Sequence, residues 1–136
     1  ALREGLASGI LDVIRSDHQP HGLDAKLAPF SESAPGIAGL ETLLSLTLKL
    51  VNEGVLSLSD ALAKVTANPA RILGIDIGQL GTGAPADICV FDPTASWQVN
   101  AAQLCSNGSN TPFDQQSLPG IVETTLVAGE VRFSRR

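Results

Sequence analysis

Apolar and polar positions alternate along this chain with two different rhythms, and the change falls near residue 77. Residues 1–9 read as the end of a helix whose last turn stops at Gly9. Ile10-Leu11-Asp12-Val13-Ile14 is a short apolar run of the kind expected for a buried strand. It leads directly into the polar cluster Arg15-Ser16-Asp17-His18-Gln19-Pro20-His21. Residues 22–38, with Gly22, Pro29, Pro35 and Gly36, predict a long loop. From Gly39 the spacing turns helical. Leu40, Leu43, Leu44, Thr47, Leu48 and Val51 share one face; Glu41, Ser45, Lys49 and Asn52 share the other, and Gly54 is the expected stop. Ser57 and Asp60 have capping-box spacing and open a second helix through Ala61, Leu62 and Val65. Asn68-Pro69 predicts an N-cap followed by proline at the first helical position, in a short helix ended by Gly74.

Beyond residue 77 the pattern is that of strands and turns. Gly78, Gly81 and Gly83 punctuate a turn-rich stretch, and Asp87–Phe91 reads as a strand halted by Asp92-Pro93. Ile121–Val127 and Val131–Phe133 predict a hairpin around Ala128-Gly129-Glu130, while 106–120 reads as polar loop. The division is therefore 1–77, helical and barrel-like, and 78–136, a small β segment. A first strand with no sequential strand partner needs neighbours from elsewhere, so the chain reads as a piece of something larger.

Composition narrows the function classes. With 43% hydrophobic and 17% charged residues the 136-residue chain has a globular balance. A net charge of −5, with no basic block beyond Arg135-Arg136, argues against nucleic acid or anionic membrane as partner. No stretch approaches the roughly 18 apolar residues of a membrane helix. Cys89 and Cys105 are too far apart for a metal knuckle or a redox pair, and two reduced thiols fit a cytoplasmic protein.

The candidate chemistry lies in Asp17-His18-Gln19-Pro20-His21. A carboxylate and two imidazoles within five residues can bind a metal, trade protons or hold an anionic substrate. Taken alone the cluster fits a solvated, hydrogen-bonded loop equally well. For His18, which points to the opposite side of the strand from Asp17, the structural reading is favoured. Glu41 is expected to serve a helix N-terminus and Trp97 to pack in a core or interface. The Gly78/Gly81/Gly83 cluster precedes a strand, which argues against a dinucleotide loop.

Context adds to the cluster. Ser16-Asp17-His18-Gln19-Pro20-His21 is followed in order by Lys26, by Pro35-Gly36-Ile37-Ala38-Gly39-Leu40-Glu41, by Asn68-Pro69-Ala70, by Gly83-Ala84-Pro85-Ala86-Asp87-Ile88 and by Leu126-Val127-Ala128-Gly129. This series resembles the C-terminal region of dihydroorotases in the amidohydrolase superfamily. The resemblance implies an α/β fold: the last strand, active-site loop and helices of a (β/α)8 barrel, then strands of a small composite β-sandwich. It implies that Asp17 ligates zinc and shuttles a proton between attacking water and leaving amide nitrogen. It further implies that His21 contacts the substrate carboxylate, and that the main chain at Pro35 and Gly36 touches the substrate ring. Pro35 departs from the family pattern, because active members commonly carry a residue with an N–H there and proline has none.

The activity implied is the reversible cyclisation of N-carbamoyl-L-aspartate to L-dihydroorotate, with zinc as cofactor in a homo-oligomer. Most of the family's zinc ligands have no counterpart in these residues, so the chain alone is expected to be inactive. Two alternatives remain open: a non-catalytic dihydroorotase-like subunit that scaffolds aspartate carbamoyltransferase, and another cyclic amidase such as a hydantoinase or allantoinase.

Overall fold

A computed structural model describes residues 1–135; Arg136, half of the terminal basic pair, lies outside them. Four short helices precede one antiparallel sheet. They are α1 (Leu2–Ala7), α2 (Leu43–Asn52), α3 (Leu58–Ala63) and α4 (Ala67–Leu73), with a 3-10 turn at Leu23–Lys26 inside the long loop. The sheet has the order β1 (Ile88–Gln98), β2 (Ser117–Val127), β3 (Glu130–Ser134).

The expected strand at 10–14 does not form. No strand pairs with that segment among the described residues, and groups at the end of α3 and the start of α4 take its main-chain bonds instead. Ile14 N–H donates to the Lys64 carbonyl at 3.0 Å, and Asn68 Nδ2 donates to the Asp12 carbonyl at 2.9 Å. Lys64, 6% exposed, donates its Nζ to the Leu11 carbonyl at 2.5 Å. An apolar run becomes a ladder strand only when a neighbouring strand pairs with it, and these residues lack one among the described residues.

Three helix boundaries also differ from the pattern. α2 begins at Leu43 and not at Gly39; the Gly39 and Leu40 N–H groups donate to His18 Nδ1, and residues 40–42 form a turn ahead of the helix. α4 begins at Ala67 with Thr66 as N-cap. Pro69 thus sits third in the helix, still in the first turn where no N–H is needed. α3 ends at Ala63, short of Val65. Its expected cap is present, with Ser57 Oγ accepting the Asp60 N–H at 3.1 Å. Gly74 closes α4 in the left-handed conformation.

Asp92-Pro93 does not end β1. The strand continues to Gln98 through a bulge, its register jumping from Asp92 opposite Ile121 to Ser96 opposite Pro119. Asp92 Oδ1 accepts from the Thr94 hydroxyl at 2.7 Å, the Thr94 N–H at 2.8 Å and the Ala95 N–H at 3.3 Å. Proline is tolerated because a bulge asks for no ladder N–H. The expected hairpin forms, with Ala128 and Gly129 both at positive φ in the two-residue turn.

The core lies between α2 and the sheet. Leu48, Leu118 and Val99 are buried there, and Gly120 meets Leu48 so closely that a side chain would have no room. Ser45, assigned by spacing to the polar face of α2, is buried because Trp97 covers it and donates to its hydroxyl. Leu40, assigned to the apolar face, is exposed. An apolar groove of about 600 Å³ runs between α2, α3 and β1, lined by Leu43, Leu62, Leu80, Ile88 and Phe91 among others. Cys89 shares this groove, and burial pushes its thiol pKa up; both cysteines are free. All five residues of β3 are exposed, Val131 and Phe133 included.

Candidate functional site

Two loops meet at a single parallel bridge between His18 and Ile37, and the sequence-predicted residues all lie on them. Gln19 N–H donates to the Ile37 carbonyl at 2.8 Å across this bridge. Asp17 stands immediately before it with φ at 45°, a left-handed conformation that a residue with a side chain adopts at a cost. Its carboxylate is 56% exposed and pairs with Arg15 at 3.2 Å. An exposed pair of this kind contributes little to stability, so Asp17 keeps a carboxylate free for other chemistry.

His18 turns the other way. Its Nδ1 accepts the N–H groups of Gly39, at 3.2 Å, and Leu40, at 3.1 Å. That nitrogen is therefore unprotonated and structural, as its position in the strand suggested. His21 is half-buried and its Nε2 donates to the Pro35 carbonyl at 3.0 Å. Pro35 and His21, two of the sequence-predicted residues, thus touch each other. Gly36 has φ at 99°, and a Cβ there would run into the Gln19 side chain, so only glycine fits.

A third segment, read from sequence only as polar loop, completes the arrangement. Asn110 accepts the His21 N–H on its Oδ1 at 2.7 Å. Its Nδ2 donates to the Gln19 carbonyl at 3.1 Å and to the Gly36 carbonyl at 3.2 Å. Lys26 Nζ donates to the Ala34 carbonyl and, at 2.8 Å, to the Gly36 carbonyl. Gly108 packs its main chain against His21 so tightly that any side chain would overlap the His21 backbone. Beside these groups lies a cavity of about 370 Å³ lined by Lys26, Ile37, Ser109, Asn110, Thr111 and Pro112. Nothing in the local sequence marks Asn110 as a clip, since its partners are 74 to 91 residues away. Glu41 precedes α2 and does not serve its N-terminus. Its carboxylate accepts the Cys105 and Ser106 N–H groups, each at 3.1 Å, because the early turn 40–42 carries it toward that loop.

For a zinc ion the fit is poor. Among the described residues no three His, Cys, Asp or Glu side chains converge. Asp17 offers a carboxylate, while His18 Nδ1 and His21 Nε2 are committed to the main chain. A catalytic zinc takes about three protein ligands, so these residues by themselves do not make its site. Among the described residues no helix is long and apolar enough to cross a membrane.

The model of the amidohydrolase family matches residues 1–132. The chain belongs to the amidohydrolase family. A dihydroorotase of Geobacter metallireducens is 47% identical over 135 residues, which is 99% of this chain and 32% of that protein. The chain thus spans about a third of the length of the curated relatives it matches. The L-hydantoinase (dihydropyrimidinase) of Arthrobacter aurescens superposes with a TM-score of 0.88 at 32% identity, covering 96% of this chain and 30% of that one. An inactive dihydroorotase-like domain of a CAD-like multifunctional protein from Chaetomium thermophilum superposes at 0.67 and 22% identity, over 96% of this chain and 34% of that one, a likeness of fold alone.

These likenesses bear out the α/β class and the reading as the C-terminal part of an amidohydrolase barrel with a small antiparallel sheet. They support a hydrolase.

Proposed function

We propose that the intact protein is a dihydroorotase, interconverting N-carbamoyl-L-aspartate and L-dihydroorotate in pyrimidine biosynthesis. Residues 1–77 would contribute the last barrel strand position, the active-site loop and flanking helices, and 78–136 the segment of a β-sandwich. The observation that carries this reading is the 47% identity to a dihydroorotase across 99% of the chain, with Asp17 exposed and strained at the head of the bridge.

In the hydrolytic direction water adds to the ring carbonyl and the ring C–N bond breaks. Asp17 is the proton carrier, taking a proton from the attacking water and returning it to the departing amide nitrogen. His21 and the main chain at Pro35 and Gly36 bind the substrate carboxylate and ring. Zinc is the cofactor of this reading for the intact protein, with Asp17 the ligand that this chain contributes. The exposed apolar side chains of β3 and of α4, Ile72 and Leu73 among them, suit surfaces covered in a larger molecule or homo-oligomer.

The test is zinc content and dihydroorotate hydrolysis of the intact gene product, with Asp17→Ala as control and hydantoin and allantoin as competing substrates. Asp17-dependent turnover of dihydroorotate with bound zinc is the expected result. Preference for hydantoin or allantoin would reassign the substrate to another cyclic amide.

One observation favours a second reading, a non-catalytic subunit that scaffolds aspartate carbamoyltransferase. Pro35 has no N–H to offer a substrate, and its carbonyl engages the His21 Nε2 that would otherwise be free for a carboxylate. A folded, zinc-free, inactive protein that binds the carbamoyltransferase would establish that role.

A further inference from the structure

We propose that Asn110 is a positioning residue which fixes His21 against the Pro35–Gly36 main chain, and through it the affinity for a carboxylate-bearing cyclic amide. The proposal rests on the dihydroorotase reading above and extends it to a residue of the β segment.

Asn110 reaches both walls of the site at once. Its carboxamide has one acceptor oxygen and two N–H donors, and all three functions are in use. The oxygen takes the His21 N–H at 2.7 Å, while the nitrogen serves the Gln19 carbonyl at 3.1 Å and the Gly36 carbonyl at 3.2 Å. The Asn110 carbonyl receives the Ala38 N–H at 3.2 Å, which adds a fourth bond to the second wall. Two residues earlier, Gly108 lets the loop press against the His21 backbone. The Gly36 carbonyl, held by both Asn110 and Lys26, cannot swing without breaking two bonds, so the orientation of that peptide is fixed.

No other side chain supplies this set. Aspartate of the same shape has no donor and would face two carbonyls with a negative charge. Leucine has neither donor nor acceptor, and glutamine is one methylene longer. Asn110 itself touches none of the atoms assigned to substrate binding except through the main chain, so it acts through His21 and Gly36 and not on the reacting bond.

The experiment is steady-state dihydroorotate hydrolysis by the intact gene product, comparing wild type with Asn110→Asp, Asn110→Ala and the milder Asn110→Ser. A KM raised about tenfold or more by Asn110→Asp, with kcat within about threefold of wild type, is expected, because ground-state binding is what the clip prepares. Asn110→Ser, which keeps one donor and one acceptor, should fall between, and it carries the test if Asn110→Asp does not fold. Combined with His21→Ala, the Asn110→Ala effect on KM should be less than additive, since both act on one contact. Losses of kcat and Tm with KM unchanged would assign Asn110 a structural role only and overturn the proposal, as would additivity with His21→Ala. An inactive wild-type protein would overturn the dihydroorotase reading and this inference with it; an active one whose KM ignores Asn110 would overturn the inference alone.

Discussion

Trp97 on β1 donates its indole Nε1–H to the hydroxyl of Ser45 on α2 at 2.9 Å, joining the sheet to the helical half through a part-buried polar pair. Ser45 is 2% exposed, so its hydroxyl has no water as an alternative partner, while Trp97 is half-buried. Ser45→Ala removes the protein acceptor of a half-buried indole donor and should cost about 1 kcal/mol. Trp97→Phe with Ser45→Ala should cost less than the two single changes together, because the second removal no longer strands a partner. Denaturant midpoints of the intact protein check both statements.

Glu41 performs the same joining task on the other side, through its two carboxylate oxygens and the Cys105 and Ser106 N–H groups. The bonds are charge-assisted but exposed, so Glu41→Ala should lower stability by only about 1 kcal/mol. The sharper effect should be local. Amide exchange at Cys105 and Ser106 should accelerate in Glu41→Ala, and only partly in Glu41→Gln, which keeps one acceptor. Unchanged exchange at both amides would mean that the carboxylate does not hold the loop.

Asp92 gives a pH dependence with a definite sign. The Thr94 hydroxyl, and then the Thr94 and Ala95 N–H groups, hold its carboxyl below the usual carboxylate range. A depressed carboxyl stabilises the fold above the unfolded-chain pKa of about 3.9, and that contribution fades as pH falls through the folded value. Thr94→Val removes the largest of these contacts. The variant should therefore be less stable than wild type at neutral pH, with the gap in urea midpoint closing on acidification below about pH 4. A gap that persists unchanged in acid would point to packing and not to the carboxyl.

Local chemistry was legible in the sequence wherever its partners are near in sequence. The Ser57–Asp60 cap, the Gly74 stop and the Ala128-Gly129 turn all form as their residue types require. Misreadings arose where a distant group intervened. The chain at Gly39 and Leu40 is tied to His18 Nδ1 and enters α2 only at Leu43, and Trp97 covers a serine that helical spacing turns to solvent. The run 10–14 looked like a strand because its apolar pattern is that of one, yet a strand needs a neighbour as well as a pattern. At the site, the cluster around Asp17 announced itself by density of ionisable groups. Asn110 could not, because an amide acquires its role only when folding brings three main-chain groups around it.

Asp17 itself invites a trade between stability and activity. At φ 45° a residue with a Cβ is strained, whereas glycine is not. The side chain is more than half exposed and pairs with an exposed Arg15, so its removal forfeits little. Asp17→Gly should therefore raise stability by roughly 1 kcal/mol, after allowance for the greater freedom of glycine in the unfolded chain. The same change removes the proposed proton carrier and should lower turnover of the intact protein by about 100-fold or more. Thermal unfolding and dihydroorotate hydrolysis, measured on one preparation, decide the matter. A variant that gains stability and loses turnover places the strain at a working carboxylate, whereas equal loss of both would make Asp17 a structural residue of the loop.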